Sequence, residues 1–197
     1  MAYLFSFLFP ALVVATLADL LIPWRSSVAR MTAIVLGSLV LISLPWGGIP
    51  LGRMLIGLNA NFSIPLIALL CNHLWGRTFG TGFFDRKTIL TAWIFGLGAG
   101  LILYPSALGL GRFDLYAPGF RPVALMALSG AGTIGLILAQ NRFGLALMAC
   151  MLAYELQLLE STNFWDYHLD PVYFIVSLAA LLRETWRKWR TRGKIGN

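Results

Sequence analysis

Apolar residues fall along this chain in long blocks separated by short polar punctuation. The blocks are Tyr3–Pro23, Met31–Trp46, Phe62–Trp75, Thr88–Leu110, Pro122–Gln140, Phe143–Glu160 and Pro171–Trp186. Each predicts a membrane-spanning helix, although several fall short of the roughly 20 residues a bilayer requires. Phe62–Trp75 is the weakest block. Asn59, Asn61 and Pro65 interrupt helix chemistry around its start, so it predicts a broken or re-entrant helix packed inside protein. The expected fold is an all-α integral membrane protein, a compact bundle of transmembrane helices with short loops. Seven helices cross, or six if Phe62–Trp75 does not. No long polar linker divides the chain, so residues 1–197 form a single polytopic domain that includes a short basic cytoplasmic tail, 183–197.

Composition strengthens this reading. The chain is 58% hydrophobic and 12% charged, with a mean hydropathy of +0.77. Soluble domains carry about 25% charged residues, and one core of this size cannot hide so much apolar surface. Cys71 and Cys150 lie in apolar stretches, where a free thiol behaves as a small hydrophobe. No CxxC or Cys/His spacing suggests a metal site, and no cofactor is expected. The start, "MAYLFSFLFPALVVATLADLLIP", lacks the basic region and cleavage site of a signal peptide, and fits a first span instead.

The net charge of +7 would suggest nucleic acid in a soluble protein, but its placement points to a membrane. With seven spans and the C-terminus inside, the cytoplasmic side holds Arg25, Arg30, Arg77, Arg86, Lys87, Arg142, Arg183, Arg187, Lys188, Arg190, Arg192 and Lys194. That leaves Arg53, Arg112 and Arg121 outside, a split of 12 to 3; six spans give 11 to 4. The excess of inside cations places the C-terminus in the cytoplasm and the N-terminus outside, as in a bacterial-type inner membrane. Trp24, Trp46, Trp75, Trp165 and Trp186 stand at span ends, where aromatic rings prefer the interface. The tail "RETWRKWRTRGK" alternates tryptophan with cations, as an orienting stop or an anchor on anionic lipid does. The implied partners are membrane lipids and a membrane protein or second copy of the chain; nucleic acid is not among them.

Gly130–Gly135, "GAGTIG", matches the dinucleotide fingerprint in letters but sits in mid-span. The fingerprint needs a strand, a turn and a helix N-terminus, so the expected role is helix packing. Ala127, Ala131 and Gly135 recur every four residues, and Gly96 and Gly100, extended by Gly98, make a second small-residue face. No internal repeat of the transporter kind is present. On the inner side, Asp19, Asn72, His73 and Asp85 read as scattered, with His73 interfacial.

Candidate chemistry gathers on the outer side. Glu155, Asp166 and His168 are the candidate catalytic groups. Glu155 is singled out because five residues separate it from Glu160, about 7.5 Å deeper along a helix, where an ionisable side chain is costly. Arg53, Asn59, Asn61, Arg112, Asp114, Arg121, Glu160 and Asp170 are the candidate binding groups, the arginines being suited to a phosphate. One histidine is too few for a dedicated metal site. Asp170 before Pro171 also reads as a helix cap. No nucleophile motif accompanies His168. Three functions compete on this basis. The first is a non-catalytic accessory or scaffold subunit of a cell-envelope assembly, with a polar outer-face site. The second is a membrane-embedded enzyme acting on a lipid or lipid-linked glycan at the outer leaflet. The third is a small-solute transporter.

Overall fold

The computed structural model describes residues 2–22, 27–110 and 112–192. Pro23, Trp24, Arg25 and Lys194, which figure in the span and charge assignments, lie outside the described residues. The described chain is mostly helical. Seven long helices follow one another: α1 Ala2–Leu21, α2 Val28–Ser43, α4 Ile64–Phe79, α5 Arg86–Ala107, α6 Val123–Leu138, α7 Phe143–Glu155 and α9 Pro171–Arg192. The two short helices α3, Leu51–Leu58, and α8, Phe164–His168, lie between them, with a 3-10 turn at Ala117–Phe120.

Helix ends are set by local chemistry. Ser27 caps α2, its hydroxyl accepting from Arg30 N–H, and Asp85 caps α5 by accepting from Thr88 N–H. Pro65 falls in the first turn of α4, where a missing N–H costs nothing. Three helices end in Schellman turns, a left-handed residue flanked by a 6→1 and a 5→2 hydrogen bond. At α5 that residue is Gly109, with Leu110 N–H donating to Pro105 O. At α6 it is Gln140, with Asn141 N–H on Leu136 O; at α7 it is Gln157, with Leu158 N–H on Ala153 O.

These stops shift the expected boundaries. Phe143–Glu160 shortens to α7, ending at Glu155. The Met31–Trp46 block ends at Ser43, and its last residues enter a hairpin in which Pro45–Trp46 pairs with Ile49–Pro50. Gly47 and Gly48, at φ 60° and 85°, form the two-residue turn, which needs positive φ at both positions. Helix α3 then precedes the irregular stretch 59–63, the interruption that Asn59 and Asn61 predict.

By length and composition one described helix, α5, can cross a membrane; Phe7–Leu21, Val28–Ser43, Val123–Leu138 and Phe143–Glu155 are apolar but shorter. Packing is pairwise: α1 lies on α2, α5 on α9 and α6 on α7, joined through α1–α4 and α4–α7 contacts. Leu66, Ala92, Phe143, Cys150, Tyr167 and Tyr173 form the centre of the core.

The small-residue faces divide. A Cβ on Gly96 would lie 2.3 Å from Ser177 Oγ, and one on Gly100 would lie 2.2 Å from the Phe174 ring. That face holds α5 against α9 as its spacing predicts; Gly98 points into open space. The Ala127, Ala131 and Gly135 face does not pack. All three residues are exposed, and a Cβ on Gly135 meets nothing within 4 Å. The close approach of α6 to α7 comes from Gly144 instead, whose added Cβ would lie 2.8 Å from Thr133 O.

The bundle has two polar ends. At one, Asp19 is not scattered but buried at the centre of a cluster. Arg30 Nη2 and His73 Nε2 each lie 3.0 Å from its carboxylate, and Arg77 Nε lies at 3.1 Å. Arg86 pairs with Glu184, Lys87 Nζ donates to Ala139 O at 2.8 Å, and Arg142 donates to Phe83 O at 2.7 Å. We call this the basic end. The opposite, cap end carries residues 108–110, 112–122 and 157–170 together with the α3–α4 connection.

Candidate functional site

Most of the polar side chains gathered at the cap end bond to backbone or to one another. Asp170 is buried and caps α9: its Oδ1 accepts from Val172 N–H at 2.8 Å and Tyr173 N–H at 3.0 Å. The same oxygen takes Asn59 Nδ2 at 3.1 Å, and Oδ2 takes Ser63 N–H at 2.8 Å. Asp170 therefore ties the start of α4 to the start of α9. Burial pushes its carboxyl above the usual carboxylate range, against the pull of the Ser63, Tyr173 and Val172 hydrogen bonds.

Asp166 accepts from Tyr116 Oη at 2.7 Å and from the Ser161 hydroxyl. Burial and then this carboxylate hold the Tyr116 phenol well above its ordinary pKa. Asn163 caps α8 through Trp165 N–H and donates to Tyr116 O at 3.1 Å. Its side chain fills the space where Gly119 lacks a Cβ. Asp114 accepts from Tyr116 N–H at 2.9 Å and Ala117 N–H at 3.1 Å. Asn61 is half-buried, and its Oδ1 has no partner among the described residues.

The remaining expected site residues are not drawn in. Arg53, Arg112, Arg121, Glu155 and Glu160 are exposed, and no ion pair joins them to the acids among the described residues. Because α7 stops at Glu155, this side chain stands at a helix end rather than a turn and a half inside it.

His168 is different. It is 3% exposed, yet it reaches the wall of a side cleft. Its Nδ1 lies 3.2 Å from Phe164 O, and its Nε2 lies 2.9 Å from Ser129 Oγ. A carbonyl oxygen only accepts, so Nδ1 carries the proton and Nε2 accepts the Ser129 hydroxyl. Burial pushes the imidazole pKa down to about 4, leaving the ring neutral. Phe164 packs its ring 4.5 Å from that of His168 and fixes its tilt.

The cleft lies between α5 and α6, which diverge above α7. Its volume is about 460 Å³, and its lining is apolar except at Thr91, Ser129 and His168. A second hollow of about 400 Å³ shares Ile94, Phe95, Leu125 and Trp165 with it and extends toward the cap end. The rim residues Ile94 and Leu128 are 56% and 68% exposed, so the cleft opens sideways rather than through either polar end. Ser129 is the residue that sequence reasoning passed over. It immediately precedes the "GAGTIG" run that was assigned to packing, and with Thr133 it makes up the polar content of α6.

No protein-family model matches the chain, and neither a curated protein nor a solved structure matches it.

Proposed function

We propose that this chain is a multi-pass protein of a bacterial-type inner membrane, with the cap end outside and the C-terminus cytoplasmic. In this reading it takes a lipid or lipid-linked amphiphile from the outer leaflet into the α5–α6 cleft. The observation that carries the proposal is the cleft itself: a sideways opening with exposed apolar rims and one polar pair set into its wall. Exposed Leu17, Val40, Ile94, Leu101, Leu152 and Ile175 extend the apolar surface around the bundle. Such a surface suits hydrocarbon rather than water. At 22 residues, α5 is about 33 Å long, close to the roughly 30 Å of a bilayer core.

Length suits an acyl chain as the occupant. The lining on α5 runs from Thr91 to Leu103, about 18 Å and near half the bilayer core. Ser129 lies six residues into α6 from Val123, about 9 Å below its cap end. An ester group there would have its chain directed inward along Gly132, Leu136 and Phe143 and its head outward beneath Trp165.

Gly132 provides the test. A Cβ at this position meets only Leu147 Cδ1, at 4.0 Å, so Gly132→Leu should fill the cleft without disturbing the fold. In wild-type membranes, a phosphatidylethanolamine with a diazirine in its acyl chain should cross-link to Phe95, Leu128 and Leu147. Gly132→Leu should lose at least ten-fold of that cross-linking at unchanged thermal stability. Cross-links spread evenly over all helices, or unchanged in Gly132→Leu, would refute the proposal.

A second reading, the accessory or scaffold subunit, has its own support. Asp166 and Asp170 tie separate segments of the cap end together, and Asp114 caps the 3-10 turn, which leaves all three an architectural task. A protein partner recovered in fixed stoichiometry after mild extraction would favour it.

A further inference from the structure

Resting on the cleft reading above, we infer that Ser129 is a nucleophile and His168 its general base, acting on the ester carbonyl of an acyl-chain amphiphile held between α5 and α6. The required parts of an activated serine are a hydroxyl in hydrogen-bond reach of a base and a third group that orients the base. Here Ser129 Oγ lies 2.9 Å from His168 Nε2, and Phe164 O holds Nδ1 at 3.2 Å. The carbonyl plays the part a carboxylate plays in a triad: it selects the tautomer that leaves Nε2 free to take a proton.

Three features separate this pair from an ordinary helix-to-helix hydrogen bond. Both side chains line the cleft, so the bond is presented to whatever occupies it. Gly132 lines the same cleft about one helical turn from Ser129, and a Cβ there would meet only Leu147 Cδ1, at 4.0 Å, so the approach to Oγ is open on that side. The ring of His168 is held by Phe164 and by the Asn163 cap of α8 rather than by α6, so base and nucleophile come from separately anchored elements.

The chemistry balances without an external redox partner. Ser129 Oγ attacks the acyl carbon and its proton passes to His168 Nε2. The ester C–O bond then breaks, and the leaving alcohol takes that proton from His168. The acyl group is left on Ser129. An O–H acceptor, water or the hydroxyl of a second amphiphile, reverses the sequence: its proton passes to His168, its oxygen bonds the acyl carbon, and Ser129 Oγ leaves and is reprotonated.

A long-chain alkyl fluorophosphonate tests the dyad directly. Attack by Ser129 Oγ forms the O–P bond and expels fluoride. The expected result for the wild-type protein in mild detergent is one covalent adduct per chain, mapped by peptide mass to Ser129. Ser129→Ala should give none, and His168→Gln should slow labelling at least 100-fold, the lower range for loss of a general base. Absence of an adduct on folded wild type, in a sample whose cleft still cross-links the diazirine lipid, would overturn the dyad and spare the cleft. Absence of both adduct and cross-link would overturn the two together. An adduct on Ser129 formed equally fast in His168→Gln would show a reactive serine that does not use this base, and would also overturn the inference.

Discussion

Asp170 shows how much one side chain is asked to do. Four donors converge on its carboxylate, from Asn59, Ser63, Val172 and Tyr173. As a simple cap it would tolerate asparagine, which caps nearly as well as aspartate. The second oxygen changes that expectation. In Asp170→Asn one of the two oxygens becomes an NH2 donor, and Ser63 N–H loses its acceptor in a buried site. Leaving such a donor unpaired costs about 1–3 kcal/mol. Ser63→Ala keeps the backbone N–H and removes a hydroxyl that has no partner among the described residues, so it should leave stability nearly unchanged. Thermal unfolding of the two variants in one detergent checks the contrast; equal midpoints would mean that the Ser63–Asp170 tie contributes nothing. The cap role was legible from Asp170 preceding Pro171. The tie to Ser63 was not, because 107 residues separate the partners. Ser129 was hidden for a related reason, since its partner His168 comes 39 residues later, from a short helix that the pattern of apolar blocks did not predict.

At the scale of elements, the apolar blocks located all seven long helices, because runs of that length exceed an ordinary strand and read as helix. Their ends were less readable. A Schellman turn built on glycine, as at Gly109, leaves a signature in sequence; the turns at Gln140 and Gln157 use a residue that carries none. The five-residue error at the end of α7 follows, and with it the misplaced depth of Glu155. Small-residue faces were half readable for a similar reason: spacing shows that a face is smooth but not that anything rests on it. Gly100 meets Phe174, while Gly135 meets open space. Gly100→Leu should therefore destabilise the protein by about 1–3 kcal/mol through overpacking, and Gly135→Leu should not. Thermal stability of both, measured in parallel, decides the point. A destabilised Gly135→Leu with an unaffected Gly100→Leu would mean that α6, not α5, carries the close-packed face.

For the whole molecule, the contacts gather the residues that the charge pattern assigns to the two sides at opposite ends of the bundle. Arg30, Arg77, Arg86, Lys87 and Arg142, all expected inside, meet at the basic end through Asp19, Glu184, Ala139 O and Phe83 O. The acids and amides expected outside meet at the cap end through Asp170, Asp166 and Asn163. What the sequence could not convey at this scale is the gap between α5 and α6, since an absence of packing has no letter of its own. The proposal that a lipid enters that gap from the outer leaflet depends on which end faces out. The most direct measurement uses single cysteines in a background lacking Cys71 and Cys150, labelled in intact cells with a membrane-impermeant maleimide. Thr162 and Trp189 are both exposed, one at the cap end and one beyond the basic end. Thr162→Cys should label in intact cells, and Trp189→Cys only after the membrane is permeabilised. The opposite pattern would put the cap end in the cytoplasm and contradict entry from the outer leaflet.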